Sequence, residues 1–291
     1  MEGENDMSTS KSCFILGLPA AGKTSYLAAL AYSLQQRAVE TKLHWRNFTD
    51  DHQYLTSLAE TWLEFEPVSR TSIGLQQQSL SLRLCDNNDN VFDVSFPDLS
   101  GEIFQRQYTE REISRELSEH IINCDGVLLF LNPNEIIEPA LISELPLVSR
   151  TAGENLAPTM EREAGKTDPT EVQLIELLQD IDYLTNNERC ATIPLVIVVS
   201  AWDVAEKKYS TPEDCLVART PLLWQYLKAN NDVFAVSYFG VSAQGGAFES
   251  EGAVNELYNQ FEDCPADRII VVDNTGKRSH DITLPLWEAM N

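Results

Sequence analysis

The stretch Gly17-Leu18-Pro19-Ala20-Ala21-Gly22-Lys23-Thr24 fits the pattern G-x-x-x-x-G-K-[ST], and it constrains the fold more tightly than anything else in the chain. Such a loop works only between a strand and a helix. The apolar run Cys13-Phe14-Ile15-Leu16 before it reads as a buried strand, and Tyr26, Leu27, Leu30, Ala31 and Leu34 after it recur at helical spacing. In that order, successive backbone N–H groups and the positive end of the helix dipole converge on one point, which suits an anion. Lys23 then reaches the β- and γ-phosphates, and the Thr24 hydroxyl holds Mg²⁺. The pattern implies a nucleoside polyphosphate cradled by Pro19, Ala20, Ala21, Gly22, Lys23, Thr24 and Ser25.

Charge makes the metal close to obligatory. The formal net charge is −24, from 45 acidic against 21 basic side chains. A surface this acidic repels nucleic acid and anionic membranes, so neither is expected as a partner. A polyphosphate must be held by backbone amides, Lys23 and a divalent cation. The six cysteines (Cys13, Cys85, Cys124, Cys190, Cys215, Cys264) form no C-x-x-C pair and no metal-ligand spacing. With an acidic, polar N-terminus and no apolar stretch near the about 18 residues that span a bilayer, a cytoplasmic protein with reduced thiols is expected.

With 291 residues, 43% of them hydrophobic, there is material for one large core. Residues 1–12 read as a disordered lead-in and 13–291 as a single domain. A helix is expected over Asp51 to Phe65, where Leu55, Leu58, Trp62 and Phe65 share a face. Leu80/Leu82/Leu84 and Phe92/Val94/Phe96 alternate on either side of the turn-rich Asp86 to Asn90, a hairpin. Val127 to Leu131, Leu195 to Val199, Val233 to Ser237 and Ile269 to Val272 read as strands covered on both faces. Between them, about Ser149 to Thr167 reads as a mobile surface loop. Asp168-Pro169 then opens a helix with the apolar stripe Val172, Ile175, Leu178 and Ile181. The expected fold is α/β: a three-layer P-loop NTPase sandwich around a mostly parallel sheet with one antiparallel hairpin strand.

The hairpin delivers Asp98-Leu99-Ser100-Gly101, a D-x-x-G that resembles the switch II motif of GTPases. Asp98 would organise the Mg²⁺ water shell, and the Gly101 N–H would meet a γ-phosphate. Glu102 stands where many GTPases carry a water-orienting glutamine; a carboxylate beside an anionic phosphate is a poor base, so unaided hydrolysis should be slow. Glu102 also suits the acidic first turn of a helix. For the switch I threonine that completes the Mg²⁺ shell, Thr71 is the choice, with Ser72 and Thr61 as alternatives; Arg70 is either a cationic finger or a solvated side chain. In Ser200-Ala201-Trp202-Asp203, where GTPases show N/T-K-x-D, Asp203 can accept from guanine N1 and N2, a contact that adenine cannot make. Trp202 either shields the base or fills core. Ser242-Ala243-Gln244 resembles the loop whose backbone amide meets guanine O6.

The ordered set GLPAAGKT, DLSG, SAWD and SAQ is similar to the translation-factor-related class of P-loop GTPases. FILGLPAAGKTSYLAAL (Phe14 to Leu30), Pro67 to Thr71, FPDLSGEIF (Phe96 to Phe104), DGVLLFLNP (Asp125 to Pro133) and DITLPLW (Asp281 to Trp287) resemble a bacterial family called double-GTPase, type one. That resemblance implies GTP and GDP as ligands and two partners, a second GTPase-like protein and a GTPase-associated protein, within bacterial conflict or defence systems. Ser200 and Ala201 depart from the base-reading pattern, and Glu102 from the catalytic one. Two other classes therefore stay open: a pseudo-GTPase scaffold with a structural nucleotide, and an ATP-dependent kinase or ATPase.

Overall fold

Alternation along one short strand sets the layers. In β1 (Lys11–Leu16), Cys13 and Ile15 face one set of helices, and Phe14 and Leu16 face the other. The structure is a computed structural model describing residues 10–46, 52–66, 80–97, 101–139, 165, 167–185, 192–246, 248 and 251–291. Arg70, Thr71, Ser72 and Asp98 lie outside the described residues, as does most of the 149–167 segment.

The remaining strands are β2 (His44–Trp45), β3 (Leu80–Cys85), β4 (Val91–Phe96), β5 (Gly126–Leu131), β6 (Ile193–Ser200), β7 (Phe234–Ser242), β8 (Ile270–Asp273) and β9 (Arg278–Ser279). Among the described residues they form one sheet in the order β2-β3-β4-β1-β5-β6-β7-β8-β9. The centre, β4-β1-β5-β6-β7, is parallel. Antiparallel strands close both edges: β3 pairs with β4 as the hairpin, with Leu82 opposite Val94, and β8 runs against β7. The expected single hairpin strand is therefore joined by an antiparallel edge on the far side.

The helices are α1 (Lys23–Gln36), α2 (His52–Leu63), α3 (Glu102–Glu110), α4 (Arg115–Asn123), α5 (Thr170–Thr185), α6 (Trp202–Ala205), α7 (Pro212–Arg219), α8 (Pro221–Ala229), α9 (Glu251–Phe261) and α10 (Leu284–Ala289). α1, α2 and α10 cover one face of the sheet, and α3, α4, α5 and α8 cover the other. This is the α/β three-layer arrangement expected.

Four details differ from the sequence reading. β1 begins at Lys11, inside the expected lead-in, because the Ser12 N–H donates to Asp125 and the Lys11 ammonium reaches the Met290 carbonyl at 2.6 Å. β7 continues to Ser242 because its pairing with β6 runs on to Ser200↔Val241. α2 occupies His52–Leu63, slightly shorter than expected. In α5 the buried stripe is Leu174, Leu177, Leu178 and Ile181, while Val172 is 39% exposed. Two helical stripes overlap there, and the leucine-rich one wins the core.

Among the described residues no helix is long and apolar enough to cross a membrane. Cys13, Cys85, Cys124, Cys215 and Cys264 form no disulfide among the described residues.

Candidate nucleotide site

The loop from Gly17 to Gly22 joins the end of β1 to the start of α1, at the end of the sheet where the parallel strands finish. Its turn needs two left-handed residues, Ala20 (φ 61°) and Gly22 (φ 98°). A Cβ at Gly22 would lie 2.8 Å from the Ser200 Cβ, so the loop packs directly on the end of β6. Only glycine meets both demands. Ser200, in the place of the usual base-loop asparagine, packs under the phosphate loop and donates to the Leu131 carbonyl at 3.3 Å.

Lys23 is 2% exposed. Its ammonium donates to the carbonyls of Gly17 at 2.5 Å and Leu18 at 3.2 Å, and lies 5.9 Å from the centre of the Phe104 ring. The cation is thereby held within the Gly17–Gly22 loop. Thr24 and Ser25 follow in the first turn of α1, both partly exposed.

Gly101 caps α3 with φ 82°, and a Cβ there would meet Leu18 C at 2.5 Å, Pro19 N at 2.6 Å and Gly17 O at 2.7 Å. The D-x-x-G glycine is thus packed against the phosphate loop. Glu102, the first residue of α3, is exposed in the acidic first-turn position that the helix dipole favours. Thr61, the alternative magnesium hydroxyl, donates to the Ser57 carbonyl within α2 at 3.0 Å.

A cavity of about 290 Å³ runs from the phosphate loop toward the ends of β6 and β7. Ala20, Gly22 and Ser25 line it at one end, and Asp203, Ser242 and Ala243 at the other. The Ser242 hydroxyl donates to Asp203 Oδ1 at 2.6 Å and accepts from the Gly245 N–H at 3.1 Å. Asp203 is half-buried, with one carboxylate oxygen oriented by a serine, which suits a carboxylate that must present a fixed edge to a ring. Trp202 sits elsewhere. It is 1% exposed, packs with Val199, Ala205, Cys215 and Val272, and occupies the space a Cβ on Gly240 would need. Its indole fills core rather than shielding a base.

Two residues escaped the sequence reading. Asn132, just after β5, donates from Nδ2 to the Ala20 carbonyl at 3.3 Å and accepts from the Asn134 N–H at 3.0 Å. It ties the strained corner of the phosphate loop to the neighbouring strand. Sequence marked it only as part of the Asp125 to Pro133 stretch and of N-P-N at a strand end, which reads as an ordinary turn. Asn132 also borders a second cavity, of about 320 Å³, between the phosphate loop, Gln105 and α5. Tyr26 lines the nucleotide cavity from α1, and its hydroxyl donates to the Ile282 carbonyl at 2.7 Å.

Solved structures resemble the chain at low identity. The S. cerevisiae Ski7 GTPase-like domain, bound to GTP, is 15% identical with a TM-score of 0.47, over 84% of this chain and 45% of that one. A bacterial selenocysteine-specific elongation factor, EF-Sec, is 13% identical with a TM-score of 0.34, over 87% and 28%. The signal recognition particle receptor SRb-GTP/SRX complex from Chaetomium thermophilum is 14% identical with a TM-score of 0.36, over 86% and 98%. This chain spans less than half the length of the first two. No curated protein matches it. The model of the Double-GTPase 1 family matches residues 14–289, from within β1 to the end of α10, and the chain belongs to that family.

Proposed function

We propose that this protein binds GTP with Mg²⁺ and hydrolyses it slowly to GDP, as a switch whose two states a partner protein reads. One observation carries the reading: a single cavity joins the glycine-lysine loop to an Asp203 carboxylate oriented by Ser242. Phosphates at one end and a guanine edge at the other account for both sets of residues. Asp203 accepts from guanine N1 and N2, and loop amides at Ala243 and Gln244 serve O6.

Thr24, partly exposed in the first turn of α1, fits a hard cation that takes few protein ligands and keeps phosphate oxygens and water. Thr24 would hold Mg²⁺, with Asp98 and Thr71 as the further candidates from sequence. When bound, the ion neutralises phosphate charge. Lys23 would hold the phosphates from within the loop, and the packing of Gly101 against that loop supports a Gly101 amide that senses the γ-phosphate.

Exposed Glu102, stationed at a helix start, supports slow turnover, and partners supplying the missing group fit that picture. The double-GTPase resemblance points to a second GTPase-like protein and a GTPase-associated protein, in a bacterial conflict system. The same Glu102 observation favours a second reading, a pseudo-GTPase scaffold. Phosphate release from GTP by the purified protein separates the two: slow, Mg²⁺-dependent release that is lost in Lys23→Ala supports the switch. Release no faster than in the variant leaves the scaffold.

A further inference from the structure

The base loop is held from behind by residues that the nucleotide reading does not use. Trp62, in the last turn of α2, is buried and donates from Nε1 to the Ala243 carbonyl at 2.8 Å. The Trp62 carbonyl in turn accepts from Arg268 Nη2. Arg268 closes the short 3-10 helix Pro265–Arg268 after α9, and it is 0% exposed. Its guanidinium carbon lies 3.4 Å from the centre of the Trp62 ring and 3.9 Å from that of Phe65. Tyr32 of α1 packs on Trp62 as well, with ring centres 4.6 Å apart. The loop presses on Arg268 too, since a Cβ on Gly245 (φ 76°) would lie 2.6 Å from the Arg268 carbonyl oxygen.

A buried guanidinium is an expensive way to fill space. Burial pushes its pKa down, and among the described residues its Nε and Nη1 find no hydrogen-bond partner. The ring faces of Trp62 and Phe65 offset part of that cost. An apolar side chain of similar size would serve stability at least as well. What an apolar residue could not do is orient Trp62. With its ring packed against the Arg268 cation and Tyr32, and its carbonyl tied to Nη2, the indole is held where its N–H reaches the Ala243 carbonyl.

That direction sets a peptide plane. In a planar trans peptide the C=O and the following N–H point opposite ways. With the Ala243 carbonyl accepting from Trp62, the Gln244 N–H of the same peptide points the opposite way, and both Ala243 and Gln244 line the cavity that reaches the phosphate loop. We propose that Trp62, held by Arg268, is a positioning residue for base recognition: it aims the Gln244 amide at a purine carbonyl and favours a 6-oxopurine nucleotide over a 6-aminopurine one. This rests on the guanine reading above. Adenine presents an amino donor at that ring position, which cannot accept from an N–H.

The test is a titration of the full chain and its Trp62→Phe variant with GTP, ITP and ATP. Phenylalanine keeps a ring against Arg268 and Tyr32 and removes the N–H. GTP and ITP, which share the 6-oxo group, should each bind about fivefold more weakly, as for one lost hydrogen bond, with ATP unchanged. Arg268→Met, which keeps bulk and removes the cation, should narrow the GTP-to-ATP ratio in the same direction without lowering thermal stability. A Trp62→Phe variant with the original ratio, or with equal losses for all three nucleotides, overturns the proposal and leaves the guanine reading standing. A wild-type protein without preference for GTP over ATP overturns both.

Discussion

Replacing Gly101 by alanine probes whether the switch glycine packs on the phosphate loop, and its cost can be worked from the coordinates. The residue has φ 82°, and left-handed backbone costs an alanine about 1 kcal/mol. The new Cβ would meet Leu18 C, Pro19 N and Gly17 O at 2.5, 2.6 and 2.7 Å. All three are main-chain atoms, so no rotamer change relieves the contact. The start of α3 must retreat by about 1 Å, a displacement typical of overpacking that costs about 1–3 kcal/mol. Reduced freedom of the unfolded chain returns about 0.5 kcal/mol. The net loss is about 1.5–3.5 kcal/mol, or a fall of roughly 2–6 °C in thermal midpoint for a chain of 291 residues. Gly276 supplies the control. It has nearly the same φ, 81°, but a Cβ there meets nothing within 4 Å, so Gly276→Ala reports the backbone cost alone. Thermal unfolding of both variants without nucleotide decides the matter. If Gly101→Ala loses no more than Gly276→Ala, the close packing of α3 on the loop is refuted.

Two further changes test other parts of the account. Asn132→Ala removes the tie to the Ala20 carbonyl and should weaken GTP binding about fivefold in a titration while leaving the unfolding midpoint nearly unchanged; unchanged affinity would deny Asn132 a part in shaping the loop. Glu213 is held below the usual carboxylate range by its hydrogen bond to Lys228, against the opposing effect of burial, with Trp224 and Asn274 also donating. A depressed carboxyl contributes stability above its unfolded pKa, near 4.5, and loses it as pH falls through the folded value. Glu213→Gln should therefore be about 1 kcal/mol less stable at pH 7 in urea unfolding, with the gap closing well below pH 4.5; a gap independent of pH would contradict the charge argument.

Features carried by neighbouring residues were legible before any coordinates. The phosphate loop, the β3–β4 hairpin and the buried strands β5 and β6 depend on local spacing, period and turn chemistry, and they stand where those signals put them. Where two local readings compete, sequence cannot choose: α5 carries two overlapping stripes, and burial against α8 and α4 selects Leu174 and Leu177 over Val172. Trp202 was similarly ambiguous between lid and core until Gly240 opened a space beneath it. Contacts distant in sequence left no trace at all. Trp62 and Ala243 are 181 residues apart, and Trp62 and Arg268 206 apart, so nothing local marks Arg268 as the brace behind the base loop. The antiparallel β8–β9 edge is of the same kind, defined by its partner β7.

The most direct test of the central claim is a titration of the purified protein with GTP, GDP and ATP in Mg²⁺, alongside Lys23→Ala. The account predicts that GTP and GDP bind far more tightly than ATP, and that the variant, lacking the cation held within the Gly17–Thr24 loop, binds none of them measurably. ATP binding as tight as GTP would contradict it, because Asp203 and the Ser242 loop would then not be reading guanine.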